Sequence, residues 1–301
     1  WRRALAAGDA AQDVADPAAQ ALASAYAGYL GACRAAGLAA LAPGRFLMPG
    51  EMAGSPALTF APLPKPARAG RESLHAEMRA RYDAYRHHVV RPFFRDHFAR
   101  LDRQVVLVDA LGALAAGPDA LSDVTRGLAE TLVAFRHGTN SWLDRLIGPR
   151  RIDRLLFAAS KADHLHHSQH PRLVALVEAM LAEAANRAAY RGGEIRAMAV
   201  AAIRATVEQE VARRGDSVRL VRGRRMEDGK ETAIFPGELP ESPQALLAAA
   251  GPEGGGAGAW PDAGYATVRF APPRWLPRPG EGPPHIRLDQ ALDFLIGDRL
   301  E

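Results

Sequence analysis

The chain has 301 residues, 48% hydrophobic and 24% charged, a composition that excludes disorder throughout. Its one cysteine, Cys33, excludes a disulfide framework and a cysteine-rich zinc site, and suits a reducing compartment. The net charge of +4 is too small to argue for nucleic acid as a partner, and no run reaches the roughly 18 apolar residues of a spanning helix, because Asp109 interrupts the longest candidate.

Neither a nucleic-acid role nor a transmembrane segment is therefore expected. Lysine stands only at Lys65, Lys161 and Lys230 among 38 basic residues. Arginine is thus background, and a lysine where chemistry asks for one is informative. The chain opens at Trp1, with no apolar signal core behind Arg2 and Arg3, and reads as a segment of a longer protein whose beginning is missing.

Asp16 and Pro17 open a long amphipathic helix that runs through Leu22, Tyr26 and Leu30 to a stop at Gly37. Residues 42–70 collect six prolines and several glycines around Ala57 to Phe60, an ordered loop with one short strand. A second helical stretch, Glu72 to His97, is expected to kink or break at Pro92. The texture changes at residue 101. Gln104 to Asp109, Asp153 to Ala159 and Glu194 to Val200 are strand candidates. Helical patterns separate them: Asp119 to Phe135, a short piece from Ser141 to Ile147, and His170 to Tyr190. This alternation predicts crossovers building a parallel sheet, whose ligands sit at the carboxyl ends of its strands. A short helix is expected after Thr206, then a hairpin of Val218 to Val221 and Thr232 to Phe235 around Asp228-Gly229. Gly251 to Gly258 reads as a low-complexity loop, and Asp289 as the cap of a final helix with the stripe Leu292, Leu295 and Ile296.

The sharpest chemical candidate is Ser160-Lys161-Ala162-Asp163 at the end of the second strand. Guanine-nucleotide proteins place Asn or Thr, Lys, any residue and Asp there: the lysine stem lies along the purine face while the aspartate accepts from guanine N1 and N2. Adenine has no matching pair of donors. The bland alternative is that Asp163 only caps the next helix. One strand later, Val200-Ala201-Ala202-Ile203-Arg204 is a small-residue turn whose N–H groups could approach a base oxygen, or a plain strand-to-helix turn.

Among Asp163, His164, His166, His167 and His170, helical spacing would pair His166 or His167 with His170 on a metal. No glutamate follows as in a zinc-protease helix, and Asp163 would have to be the third ligand, so a polar loop beside the base pocket is preferred and no metal is assigned. Asp109 resembles a magnesium-holding carboxylate but is read as structural. The arginines 213, 214, 219, 222, 224 and 225 read as a solvated hairpin face. No Gly-x-x-x-x-Gly-Lys-Ser/Thr loop, which would cradle phosphates, occurs in the 301 residues.

Five stretches taken in order, Arg45 to Gly54, Asp102 to Asp109, Leu156 to His164, Ala202 to Thr206 and Phe235 to Pro240, resemble the carboxyl-terminal part of the YcjX family of bacterial stress-associated P-loop NTPases. The resemblance covers nearly the whole chain. It implies an α/β fold, a GTPase-like P-loop NTPase three-layer sandwich with a mainly parallel sheet and helical insertions, whose phosphate loop and switch region precede these residues. The domains would be a helical insertion region (1–100), the carboxyl-terminal half of the nucleotide-binding domain (101–236), and a Gly/Pro-rich linker with a closing helix (237–301). The resemblance implies the base-reading role for Lys161 and Asp163, with Ser160 where the family more often has Thr; with His164 and the turn at Ala202 and Ile203 these make up the expected base pocket, and no catalytic residue is assigned. The family has been described both as ATPase and as GTPase, and Lys-Ala-Asp favours guanine. GTP or ATP with Mg²⁺ are the implied cofactors, and a membrane-stress protein is the implied partner of a cytoplasmic protein working near the inner membrane.

Three hypotheses result. In the first, the intact protein hydrolyses GTP and this stretch, inactive alone, supplies the base pocket. In the second, residues 1–100 dock a partner and nucleotide only toggles that surface. The third is a metal-dependent hydrolase built on the histidines.

Overall fold

The computed structural model describes residues 16–35, 44–66, 70, 73–97, 101–134, 152–188, 193–213, 216–251, 260, 264–265, 267–276 and 278–300. They fall into two units, Trp1–Arg100 and Leu101–Glu301.

In the first unit, α1 (Asp16–Ala35) leads to a loop of single 3-10 turns, then α2 (Leu74–Tyr85), a π-helical turn (Arg86–Val90) and α3 (Arg91–Asp96). Ser73 caps α2, its hydroxyl accepting from the Ala76 N–H at 3.3 Å. The break expected at Pro92 is the π turn just before it, where the helix widens to accommodate a residue with no N–H to give. The short strand expected at 57–60 is absent: Pro56–Leu58 is a 3-10 turn. Phe60 is drawn instead into an aromatic cluster, 5.0 Å from Phe46 and 5.2 Å from Tyr85 between ring centres, packed on Leu22, Leu74 and Met78.

The second unit holds β1 (Arg103–Val108), α4 (Ala110–Ala116), α5 (Pro118–Ala134), β2 (Arg154–Ala159), α6 (His170–Ala188) and β3 (Glu194–Ala199). The strands form a parallel sheet with β2 in the centre, Phe157 standing between Val106 and Ala197. The expected piece at 141–147 lies outside the described residues. An unbroken apolar run makes sense for β2, because a central parallel strand is covered on both faces. Leu155, Phe157 and Ala159 face the core formed with α4, α5 and α6, whereas Leu156 and Ala158 face α8 (Leu288–Ile296). Arg103 and Arg154 donate to the Leu295 and Phe294 carbonyls, each at 2.6 Å, tying the last turn of α8 to the start of the sheet.

The chain then builds an antiparallel meander, β4 (Thr206–Arg213), β5 (Asp216–Arg224) and β6 (Glu231–Ile234), followed by α7 (Gln244–Ala250). β4 corrects the short helix expected after Thr206. All eight residues pair with β5, and ladder formation overrides local propensity. The hairpin at Asp228-Gly229 is present, Gly229 having φ of +70°. The last helix is also corrected. Its N-cap is Arg287 rather than Asp289, and the buried stripe is Ala291, Phe294 and Leu295, while Leu292 and Ile296 are 48% and 38% exposed. The face that packs on Leu156, Ala158 and Met198 is that of Ala291, Phe294 and Leu295. The low-complexity residues 252–259 lie outside the described residues. No helix among the described residues is long and apolar enough to cross a membrane.

Because Phe157 is fully buried in the central strand, Phe157→Ala should lower stability by about 3–5 kcal/mol. Leu107→Ala, at a β1 side chain that is 73% exposed, should change it by under about 0.5 kcal/mol. Urea unfolding followed by circular dichroism measures both; comparable losses would contradict this assignment of the core.

Candidate functional site

The parallel ladder carries β2 to Ala159, beside Val108 of β1 and Ala199 of β3. Ser160 continues it by one bond, its N–H donating to the Val108 carbonyl at 2.9 Å, with its hydroxyl 3.3 Å from the same oxygen. The chain then turns sharply. Lys161 adopts φ of +63°, in the left-handed region that a residue with a side chain enters at a cost of about 1–3 kcal/mol. The surroundings hold the turn in place: the Ala162 N–H donates to the Val200 carbonyl at 3.1 Å, and His170 meets the Ala162 carbonyl through Nε2 at 2.8 Å.

Asp163 is buried and fastened twice. Its Oδ2 accepts from the Ala205 N–H at 2.9 Å, and its backbone carbonyl accepts from the Thr206 hydroxyl in a very short contact. It therefore does not cap the helix that follows. Lys161, Asp163 and His164 line a cavity of about 400 Å³ together with Ala202 and Ile203, within the size range of small-ligand sites. Five of the six residues expected at the base pocket are thus brought together; Ser160 is not among the lining, its hydroxyl facing β1. Asp109 caps α4, accepting from the Gly112 N–H at 3.0 Å, and pairs with Lys161 Nζ at 2.5 Å. With both side chains nearly half exposed, that pair adds at most about 1 kcal/mol and mainly orients the lysine.

Phe270 and Met226 also line the cavity, and no local pattern announced them. The Phe270 ring meets His164 edge-on, centres 5.2 Å apart. Gly223 allows this approach, since a Cβ there would lie 2.7 Å from the Phe270 ring and 2.9 Å from the Ala205 carbonyl. Burial pushes the His164 imidazole below its ordinary pKa, assisted by the Lys161 charge and opposed by Asp163. Its Nδ1 is buried, with no hydrogen-bond partner among the described residues.

His170 does not pair with His166 or His167 as helical spacing would have it. It begins α6, and its ring is turned inward. Nε2 faces the Ala162 carbonyl and so carries the proton; Nδ1, 3.0 Å from Arg287 Nη1, accepts. Arg287 also donates to the Ala199 carbonyl at 3.2 Å. Burial, with the Arg287 charge adding to it, holds the His170 pKa below the ordinary value against the pull of the carbonyl. His166 and His167 instead meet Glu208 of β4, a residue that lay in the segment read as helical. These three could hold a metal ion.

The basic hairpin face is paired in part. Arg219 contacts Glu210, Arg222 contacts Glu231 and Arg225 contacts Asp228. Arg214 lies outside the described residues.

The neutral His170 sets a pH dependence. In the unfolded chain the ring takes up a proton as pH falls below about 6.5, whereas the folded ring resists it, so the unfolded state binds more protons and stability falls with pH. His164 acts with the same sign. The urea midpoint should therefore drop between pH 7 and pH 5, and His170→Gln, although less stable at pH 7, should show a shallower drop. An unchanged slope in His170→Gln would remove His170 from this account.

The model of the YcjX-like family, DUF463, matches residues 1–300. The chain is 37% identical over 287 residues to a protein of Escherichia coli strain K12 named Ras-like GTPase YcjX, a match covering 93% of this chain and 59% of that protein. It is also 37% identical over 273 residues to a protein of the same name from Shewanella oneidensis, covering 86% of this chain and 53% of that one. The chain thus spans between about half and three fifths of the length of these curated relatives.

Proposed function

Because the chain belongs to the YcjX-like family, we propose that the intact protein is a guanine-nucleotide-binding P-loop NTPase that hydrolyses GTP with Mg²⁺, and that the Leu101–Glu301 unit supplies its base-reading half. The single observation that carries the reading is the placement of Lys161 and Asp163 on the walls of one cavity at the carboxyl end of the central parallel strand. Asp163 accepts from guanine N1 and N2, the stem of Lys161 covers one face of the ring, and the turn at Ala202 and Ile203 brings backbone N–H groups to the base oxygen. Ser160 acts indirectly, bracing the turn against β1. Adenine offers an acceptor where Asp163 needs a donor, so ATP is the disfavoured alternative. The names of the two curated relatives support the same reading.

The 301 residues contain no phosphate-cradling Gly-x-x-x-x-Gly-Lys-Ser/Thr loop. We accordingly assign the phosphate and Mg²⁺ contacts, and with them hydrolysis, to the part of the family's length that lies outside this match; this chain by itself should not hydrolyse GTP. A second reading, a partner docked on residues 1–100 with nucleotide as the switch, is favoured by an aromatic hollow of about 630 Å³ lined by Tyr26, Phe60, Tyr82 and Tyr85. A membrane-stress protein as that partner and a cytoplasmic site near the inner membrane belong to the same proposal.

Competition titrations of GTP, GDP, ATP and xanthine nucleotides on the full-length protein test the first reading. Wild type should prefer guanine. Asp163→Asn should weaken GDP by about 100-fold, since two charge-assisted bonds are lost, and should gain xanthine nucleotide, whose C2 oxygen suits the asparagine amide. Equal affinity for ATP, with no effect of Asp163→Asn, would overturn the assignment of Asp163.

A further inference from the structure

Outside the base cavity, β4 presents alternate residues Thr206, Glu208 and Glu210 to the loop that follows Asp163. Glu208 Oε2 lies 3.5 Å from His166 Nε2 and 2.6 Å from His167 Nδ1, and the three ligand atoms all fall within 4.8 Å of one another. His166 is buried among them and its Nε2 also lies 3.7 Å from Glu210 Oε1.

From this geometry we propose that His166, His167 and Glu208 form a Zn²⁺ site that clips the loop after Asp163 to β4. Two imidazoles and one carboxylate with an open fourth position are a ligand set that Zn²⁺ takes. Ligand atoms about 2.1 Å from a tetrahedral ion stand about 3.4 Å apart. The His166–Glu208 separation already matches. The His167–Glu208 separation opens by less than about 1 Å as the ion replaces the proton the two share, and the His167 side chain, 68% exposed, has room to turn.

The surroundings suit ligation. Glu208 Oε1 is occupied by the His167 N–H at 3.2 Å and Arg204 Nη2 at 3.4 Å, which leaves Oε2 for the ion. The remaining nitrogen of His166, Nδ1, accepts from the Ser168 N–H at 3.3 Å and lies 2.9 Å from the Ser168 hydroxyl; with Nε2 on a metal it would carry the proton and donate to that hydroxyl in place of accepting. Burial works against ionising Glu208, but the hydrogen bond from His167 and the neighbouring His166, His167 and Arg204 hold its carboxyl below the ordinary glutamate range. None of the three ligands lines the base cavity, so the site stands or falls independently of nucleotide recognition.

The test uses the 301-residue chain, stripped with chelator and then titrated with Zn²⁺ by calorimetry and with Co²⁺ by visible absorption. One equivalent should bind at micromolar free metal or tighter, raise the Tm, and give Co²⁺ the intense bands of a four- or five-coordinate ion. His167→Ala, at an exposed position, and Glu208→Gln should each weaken binding at least about 10-fold while leaving the metal-free circular dichroism spectrum unchanged. The paired substitution His87→Ala and His88→Ala, in the other unit, should leave it intact. Absence of stoichiometric uptake would overturn the site, as would uptake that survives both His167→Ala and Glu208→Gln.

Discussion

Strand β2 is buried on both faces, and that constraint determines where the chemistry can stand. Leu155, Phe157 and Ala159 fill the core on one side, Leu156 and Ala158 the core on the other. A slip of one residue would exchange the two sets, setting Phe157 against the small gap under α8 and Ala158 into the large core, and both cores would misfit. The register is therefore fixed, and with it the residue at which the strand ends. Lys161 and Asp163 follow within four residues of Ala159, so their position over the sheet's carboxyl edge is inherited from packing that has nothing to do with a ligand.

What packing cannot supply is the shape of the turn itself. Lys161 is held in the left-handed region by bonds from three directions: Ala162 to the end of β3, His170 from the start of α6, and Asp163 to the entry of β4. Each of these groups is buried or partly buried, where an unmade hydrogen bond costs about 1–3 kcal/mol. The arrangement is consequently rigid as long as every member keeps its protonation state. His170 is the member at risk, because a second proton would point Nδ1–H at the Arg287 guanidinium.

The parts legible in the sequence were those set by local pattern. The apolar runs of β1 and β2, their spacing by helical segments and the Ser160-Lys161-Ala162-Asp163 sequence all announce themselves within short windows, because a covered parallel strand needs consecutive apolar residues. The misread parts depended on distant partners. Thr206 to Arg213 alternates poorly and carries helix-forming residues; it is a strand because β5 completes its ladder. The stripe of α8 was misjudged because its face was chosen by Leu156 and Met198, far along the chain. Phe270, in Pro-rich sequence about a hundred residues from His164, had no signal at all, and Glu208 was hidden by the same error that hid β4.

β4 also explains why its own sequence misled. One of its faces, Thr206, Glu208 and Glu210, meets Asp163, His166 and His167, and the opposite face leaves Val207 and Val211 51% and 37% exposed. A strand normally turns its apolar face inward; this one turns its polar face toward a polar loop, so no apolar stripe marks it in the sequence. The base loop is joined to the start of the antiparallel meander by directional bonds: Asp163 to the Ala205 N–H and the Thr206 hydroxyl, and His166 and His167 to Glu208. Such a seam is directional in a way that the two cores flanking β2 are not, since hydrophobic burial has no preferred direction. The molecule separates the two tasks physically: apolar packing fixes where the loop begins, and a polar seam fastens it to β4.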